Sequence, residues 1–253
     1  MYFGLLLVYI ALLSFFLLRM WQYGYRPHVQ TAWVSQRAFT VMALVETALV
    51  VCLSPLFSLQ ATLATVLLSP ARSATTVLGK LLLPGAFAAG IVVASALAVI
   101  SLNLAFGGVL VVEIVQTHSL LLAYTLGLLA LGCFCSAVCR TTLAAAGVTY
   151  LVVSCLVGMV IIVGPLISRL SQVDVFIHAV LVVNPFIGIS SALGFDIMRT
   201  TWVYMLSPIG QRQFIYPAWY TVGVCYVLSA CLLCGAAIWR VSSLRQRFDR
   251  WRE

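Results

Sequence analysis

Charge is what this sequence has least of. Of its 253 residues 8% are charged, six Asp and Glu against fourteen Lys and Arg, while 63% are hydrophobic. Soluble domains carry roughly a quarter charged residues, so a water-soluble globule is excluded. So little polar sequence also leaves nothing from which to fold a nucleotide-hydrolysing domain. The alternation of apolar and polar residues over about ten positions that marks barrel strands is missing. No internal repeat of the sort that organises many secondary transporters is visible. What is present is a series of long runs that are apolar on every side, and these point to an all-α integral membrane protein.

The runs fall at residues 2–20, 38–58, 80–102, 116–138, 144–165 and 216–239. Each is long enough to cross a hydrocarbon core of roughly 30 Å as a helix. Six transmembrane helices are therefore expected within one domain, 1–240. The first follows Met1 with no basic region before it, and Arg19 rather than a small-residue cleavage site after it, which reads as a retained span. Residues 175–193 are also apolar, but Asn184-Pro185 stands near their middle, and a seventh crossing would put the basic tail outside. A re-entrant or interfacial segment of two short helices, broken at Asn184-Pro185, is the expectation before the last helix.

Lys and Arg in connecting loops set orientation. Arg72, Lys80, Arg140, Arg240, Arg245, Arg247, Arg250 and Arg252 share one side if both termini are cytoplasmic. The tail, 241–253, puts Leu244, Phe248 and Trp251 on one helical face among arginines, a basic amphipathic cytoplasmic segment suited to an anionic leaflet or to solvent.

The eight cysteines, Cys52, Cys133, Cys135, Cys139, Cys155, Cys225, Cys231 and Cys234, lie in or at the ends of apolar runs. That placement reads as small apolar packing rather than a disulfide framework or a metal cluster. His28, His118 and His178 occupy an outer loop, a helix start and the broken segment, with no two in one helix placed to pair across a haem. Gly79-Lys80, behind a run of Ser and Thr, has the look of a phosphate loop. That loop needs a glycine five positions earlier and Ser or Thr after the lysine; here Ala74 and Leu81 stand in those places. No metal, cofactor or catalytic residue is expected in this chain.

Two features remain that could act. Glu46 sits near the centre of the second span, where a carboxylate costs at least a few kcal/mol unless it faces a partner, water or a cavity. It reads either as a polar point on a translocation path or as a protonated carboxyl bonded to a Ser or Thr within the bundle. Leu63, Leu67 and Leu68 recur at helical spacing in the connection between the second and third spans, ahead of Ser69-Pro70 and Arg72. An apolar stripe on a cytoplasmic loop invites a partner.

The order of these landmarks resembles the permease subunits of ABC-2-type transporters. The residues concerned are Ser54-Pro55, Thr62-Leu63, Leu67-Leu68-Ser69-Pro70 and Gly79-Lys80-Leu81, then Phe106-Gly107-Gly108-Val109 with Glu113 after it, residues 131–137 and 140–146, and Asn184-Pro185. The resemblance implies a six-helix half-transporter in the cytoplasmic (inner) membrane of a prokaryote, paired with a second permease, the same or a homologous chain. It implies an exporter driven by separate ABC ATP-binding subunits, which would hold ATP and Mg and do the hydrolysis. Thr62, Leu63, Leu67, Leu68, Ser69, Pro70 and Arg72 would form the coupling helix seated on the ATPase. Phe106, Gly107, Gly108, Glu113, Asn184 and Pro185 would shape the outer surface, with Glu113 orienting a short interfacial helix there. Family members usually carry a charged run where this chain has the neutral residues 56–61. That difference suits an alternative, a non-transporting anchor or assembly subunit; an ion-coupled secondary transporter using Glu46 is a second alternative.

Overall fold

A computed structural model describes residues 31–59, 73–106, 108–139, 141–167, 173–200 and 215–250, with isolated positions 11, 15 and 204. Among these residues all regular structure is helical: α1 Thr31–Ser58, α2 Ser73–Phe106, α3 Val111–Val138, α4 Thr142–Ile167, α5 Val173–Val183, α6 Pro185–Ala192, a 3-10 turn Ile197–Arg199, and α7 Trp219–Arg250. Five of them, α1 through α4 and α7, are long and apolar enough to cross a membrane. The expected first span, 2–20, and the coupling segment from Thr62 to Arg72 lie outside the described residues.

Most helices extend past the apolar runs that announce them, because hydrogen bonding continues wherever the residues are good helix formers. α7 continues unbroken from the bilayer-length stretch into the tail, where Arg, Leu and Gln have high helix propensity. α2 begins at Ser73, so Gly79-Lys80 lies about two turns inside it. Pro55 and Pro84 stand inside α1 and α2. Prolines are tolerated in spanning helices when neighbouring groups satisfy the freed carbonyls.

α3 is the axis of the bundle, packed against α1, α2, α4, α6 and α7. Its Ile114, Leu120, Leu121 and Tyr124 are completely buried, and they meet Phe39 and Met42 of α1, Val92 and Val99 of α2, Ile189 of α6 and Val222 of α7. Gly188 of α6 makes one such approach possible. A Cβ there would fall 2.8 Å from Val222 Cγ1 and closer still to the Tyr124 hydroxyl.

The α5–α6 break follows from its two central residues. Pro185 has no N–H and starts a helix well. Asn184 caps it by accepting from the Phe186 and Ile187 N–H groups at 3.0 and 3.4 Å. The amide of the same side chain donates to the Leu156 and Val157 carbonyls of α4 at 3.2 and 3.0 Å. With 11 and 8 residues, α5 and α6 span about 16 and 12 Å, each too short to cross alone.

Candidate functional site

The strongest concentration of polar chemistry within the spans lies where α1, α2 and α3 meet. Glu46, Ser95 and His118 are all buried there, at 8%, 0% and 4% exposure. Ser95 Oγ donates a short hydrogen bond to Glu46 Oε1. His118 Nε2 stands 3.4 Å from Ser95 Oγ and 3.8 Å from Glu46 Oε2. On the opposite edge of the ring, Nδ1 lies 2.7 Å from the Ile114 carbonyl oxygen one turn earlier in α3. A carbonyl cannot donate, so Nδ1 carries the proton of that bond. The Phe39 ring stacks beside the imidazole at a centroid distance of 6.4 Å.

Each helix has a reason to present these groups inward. Ala43, Thr47 and Phe39 share the buried face of α1 with Glu46, at the spacing of helical neighbours. Thr47 satisfies its own hydroxyl by donating to the Ala43 carbonyl at 2.7 Å, so it does not compete for the carboxylate. Val92 and Val99 flank Ser95 on the buried face of α2. Seven residues past its start at Val111, His118 lies about 10 Å along α3, well inside the stretch that would cross the membrane.

Glu46 was singled out by the sequence; Ser95 and His118 were not. A signal for His118 existed, since any ionisable side chain inside a span is a functional candidate, but at an expected helix start it was weighed only as one of a haem-binding pair. Nothing in the sequence indicated that three helices bring these residues together. The expected hydrogen bond from Glu46 to a Ser or Thr has a specific partner in Ser95.

The other candidates are spread through the fold. Phe106 ends α2 and Gly108, at φ 97°, occupies the left-handed region that favours glycine; Gly107 lies outside the described residues. Asn103 closes this connection, its amide donating to the Val109 carbonyl at 2.7 Å and its side-chain oxygen accepting from Val109 N–H at 3.0 Å. Glu113 stands in the first turn of α3, where the helix dipole favours an anion. α3 runs unbroken from Val111 to Val138. Asn184 and Pro185 form the break already described. Thr62, Leu63, Leu67, Leu68, Ser69, Pro70 and Arg72 fall outside the described residues.

No family model, curated protein or solved structure matches this chain.

Chemically, the three-helix cluster can hold and move a proton. It contains a carboxyl group and an imidazole, joined by a hydroxyl that can both donate and accept.

Proposed function

We propose that this chain is the membrane-spanning permease subunit of an ATP-driven exporter of the ABC-2 type. The observation that carries the reading is the order of landmarks along the chain, from Ser54-Pro55 through Gly79-Lys80-Leu81 and Glu113 to Asn184-Pro185. Five long apolar helices support a multi-pass protein. The short pair α5 and α6 before the last span is compatible with a re-entrant element reaching in from the outer face. In this reading residues 2–20 supply a sixth span and both termini are cytoplasmic. Residues 62–72 dock on a separate ATP-binding subunit, and a second permease completes the path. Closure of the ATPase pair on ATP then tilts α1 and α2, which flank the docking segment, and alternates access to that path. The chain itself needs no cofactor and performs no hydrolysis.

The test is purification in mild detergent with candidate ATP-binding subunits coexpressed, comparing the native chain with Leu67→Asp and Leu68→Asp. A charge placed in an apolar contact should cost well over 1.4 kcal/mol, so permease-dependent ATP turnover should fall at least about tenfold. If folded protein in the membrane binds no ATPase, the reading fails.

The Glu46–Ser95–His118 cluster favours a second reading, an ion-coupled secondary transporter. That reading requires transport that follows a proton gradient and persists without any ATPase.

A further inference from the structure

We propose that the cleft between α4 and α7 binds one anionic phospholipid, with an acyl chain in the cleft and the headgroup at Arg240. The proposal needs only that these helices cross a bilayer, and it stands apart from the permease reading.

The cleft exists because two long helices share neighbours without closing on each other. α4 packs on α1, α3, α5 and α6, and α7 packs on α2, α3, α5 and α6. Between them lies a cavity of about 200 Å³. Gly127 and Leu131 line it from α3, Val152 and Leu156 from α4, and Ser229 and Leu233 from α7. Val152 and Leu156 are half-buried and Ser229 is exposed, so the cavity opens sideways to whatever surrounds the bundle.

The lining and the two ends of the cleft decide what enters. Most of the lining is aliphatic, and the hydroxyl of Tyr226 is already committed to the Val183 carbonyl at 2.7 Å. A cavity of this kind takes up hydrocarbon and stays free of water. The same hydrogen bond ties α7 to the end of α5 and closes the cleft there. In the other direction the α7 wall continues. Ser229, Leu233, Ala236 and Arg240 follow one another at steps of four, three and four residues, which places them along one face of the helix. Leu233, Ala236 and Arg240 are each half-buried. The path from Ser229 to Arg240 is about 16 Å long, close to the roughly 15 Å depth of hydrocarbon in one leaflet. A phosphate beside Arg240 therefore puts the far end of its acyl chain against Ser229.

Charge selects the headgroup. Beyond Arg240 the same helix carries Arg245, Arg247 and Arg250 against the single acid Asp249. A basic segment at the membrane surface attracts anionic lipid, whereas a zwitterionic headgroup brings no net charge to meet it.

Native mass spectrometry of the full chain in a neutral detergent, titrated with phosphatidylglycerol and separately with phosphatidylcholine, counts bound lipids and copies of the chain together. One phosphatidylglycerol per chain should be held about fivefold more tightly than phosphatidylcholine, the worth of one arginine near an anionic headgroup. Val152→Phe and Ser229→Phe fill the cleft from opposite walls, and each should weaken retention of both lipids at least about tenfold. Leu228→Phe, at an exposed position of α7 outside the cleft, should leave retention unchanged. Arg240→Gln should remove the preference for phosphatidylglycerol and leave the weaker, equal retention of both. Unchanged retention in the two cleft variants overturns the proposal, as does an equal loss in Leu228→Phe or a preference that survives Arg240→Gln. Displacement of the lipid by glycerol 3-phosphate alone would make this a headgroup site without a cleft. A two-chain species that disappears in the cleft variants would make a second copy the occupant. Either result overturns the proposal as well. Should one phenylalanine variant fail to fold, the other decides, because they stand on different helices; Arg240→Gln tests the headgroup contact without touching the cleft.

Discussion

The membrane-length stretches of α3 and α7 have the same length, 28 residues, and nearly the same mean hydropathy, 2.0 and 2.1, yet the bundle treats them oppositely. Of the most apolar stretch of α3, 72% is buried inside the molecule; for α7 the share is 22%. In water such a difference would show as different hydropathy, because the exposed face of a soluble helix must be polar. Where the surroundings are lipid, an apolar side chain satisfies either environment, and hydropathy stops distinguishing inside from outside. What distinguishes α3 is that its small and polar residues are turned inward. Thr117, His118, Ala123, Thr125, Gly127, Ala130, Gly132, Ser136 and Ala137 are all buried. Small residues admit close backbone approach, one of the forces that packs helices in a bilayer, while Thr125 turns its hydroxyl back onto the Leu121 carbonyl of its own helix. α7 instead exposes Tyr220, Val224, Leu228, Leu232 and Trp239.

The sharpest way to break this asymmetry is at the tightest approach to α3. Gly188→Leu would drive a branched side chain into Tyr124 and Val222, both completely buried. Overpacking of this kind costs about 3 kcal/mol or more. Unfolding in mixed detergent micelles, followed by tryptophan fluorescence, should show it, and stability within about 0.5 kcal/mol of the parent would mean that α6 does not rest on α3 as described. A paired truncation is the next step down. Leu121 is fully buried on α3 and Leu232 is 74% exposed on α7. Leu121→Ala should cost about 1–3 kcal/mol, below the range for soluble cores because lipid rather than water receives the unfolded side chain. Leu232→Ala should change the isolated chain by less than about 0.5 kcal/mol. Equal losses in the two would erase the distinction between axis and periphery.

The limits of sequence reading follow from the same physics. Runs 38–58, 80–102, 116–138, 144–165 and 216–239 each coincide with most of a long helix, α1, α2, α3, α4 and α7, because bilayer-length hydropathy is a strong signal. The break at Asn184-Pro185 was legible too, since proline removes a donor that no rotation restores. Helix ends were not: α1 begins at Thr31 and α2 at Ser73, where the sequence is no longer strongly apolar and hydrogen bonding alone sustains the helix. Nor was the rotation of each helix about its axis. Helices apolar on every side carry no moment that says which face turns inward, so Glu46 could be suspected from its cost while Ser95 and His118 could not be named as its partners.

The smallest of the expected effects tests how the periphery is fastened to the axis. α4, like α7, has only 22% of its most apolar stretch buried, and one of its ties to the short-helix pair is the side chain of Asn184. That single residue caps α6 with its oxygen and bonds two carbonyls of α4 with its amide. Those carbonyls lie within α4, where the helix already supplies each with an N–H, so losing the amide strands neither of them. The cap is different, because without it the first N–H groups of α6 have no partner at the break. Asn184→Ala should therefore cost about 1–2 kcal/mol, most of it from the cap, and Asn184→Asp, which keeps the accepting oxygen and loses the donor, should recover the larger part. Amide hydrogen exchange separates the two roles. Faster exchange confined to Phe186 and Ile187 in the alanine variant marks loss of the cap, whereas faster exchange along α4 in both variants would make the amide the stronger tie and Asn184 primarily a clasp between the periphery and the break.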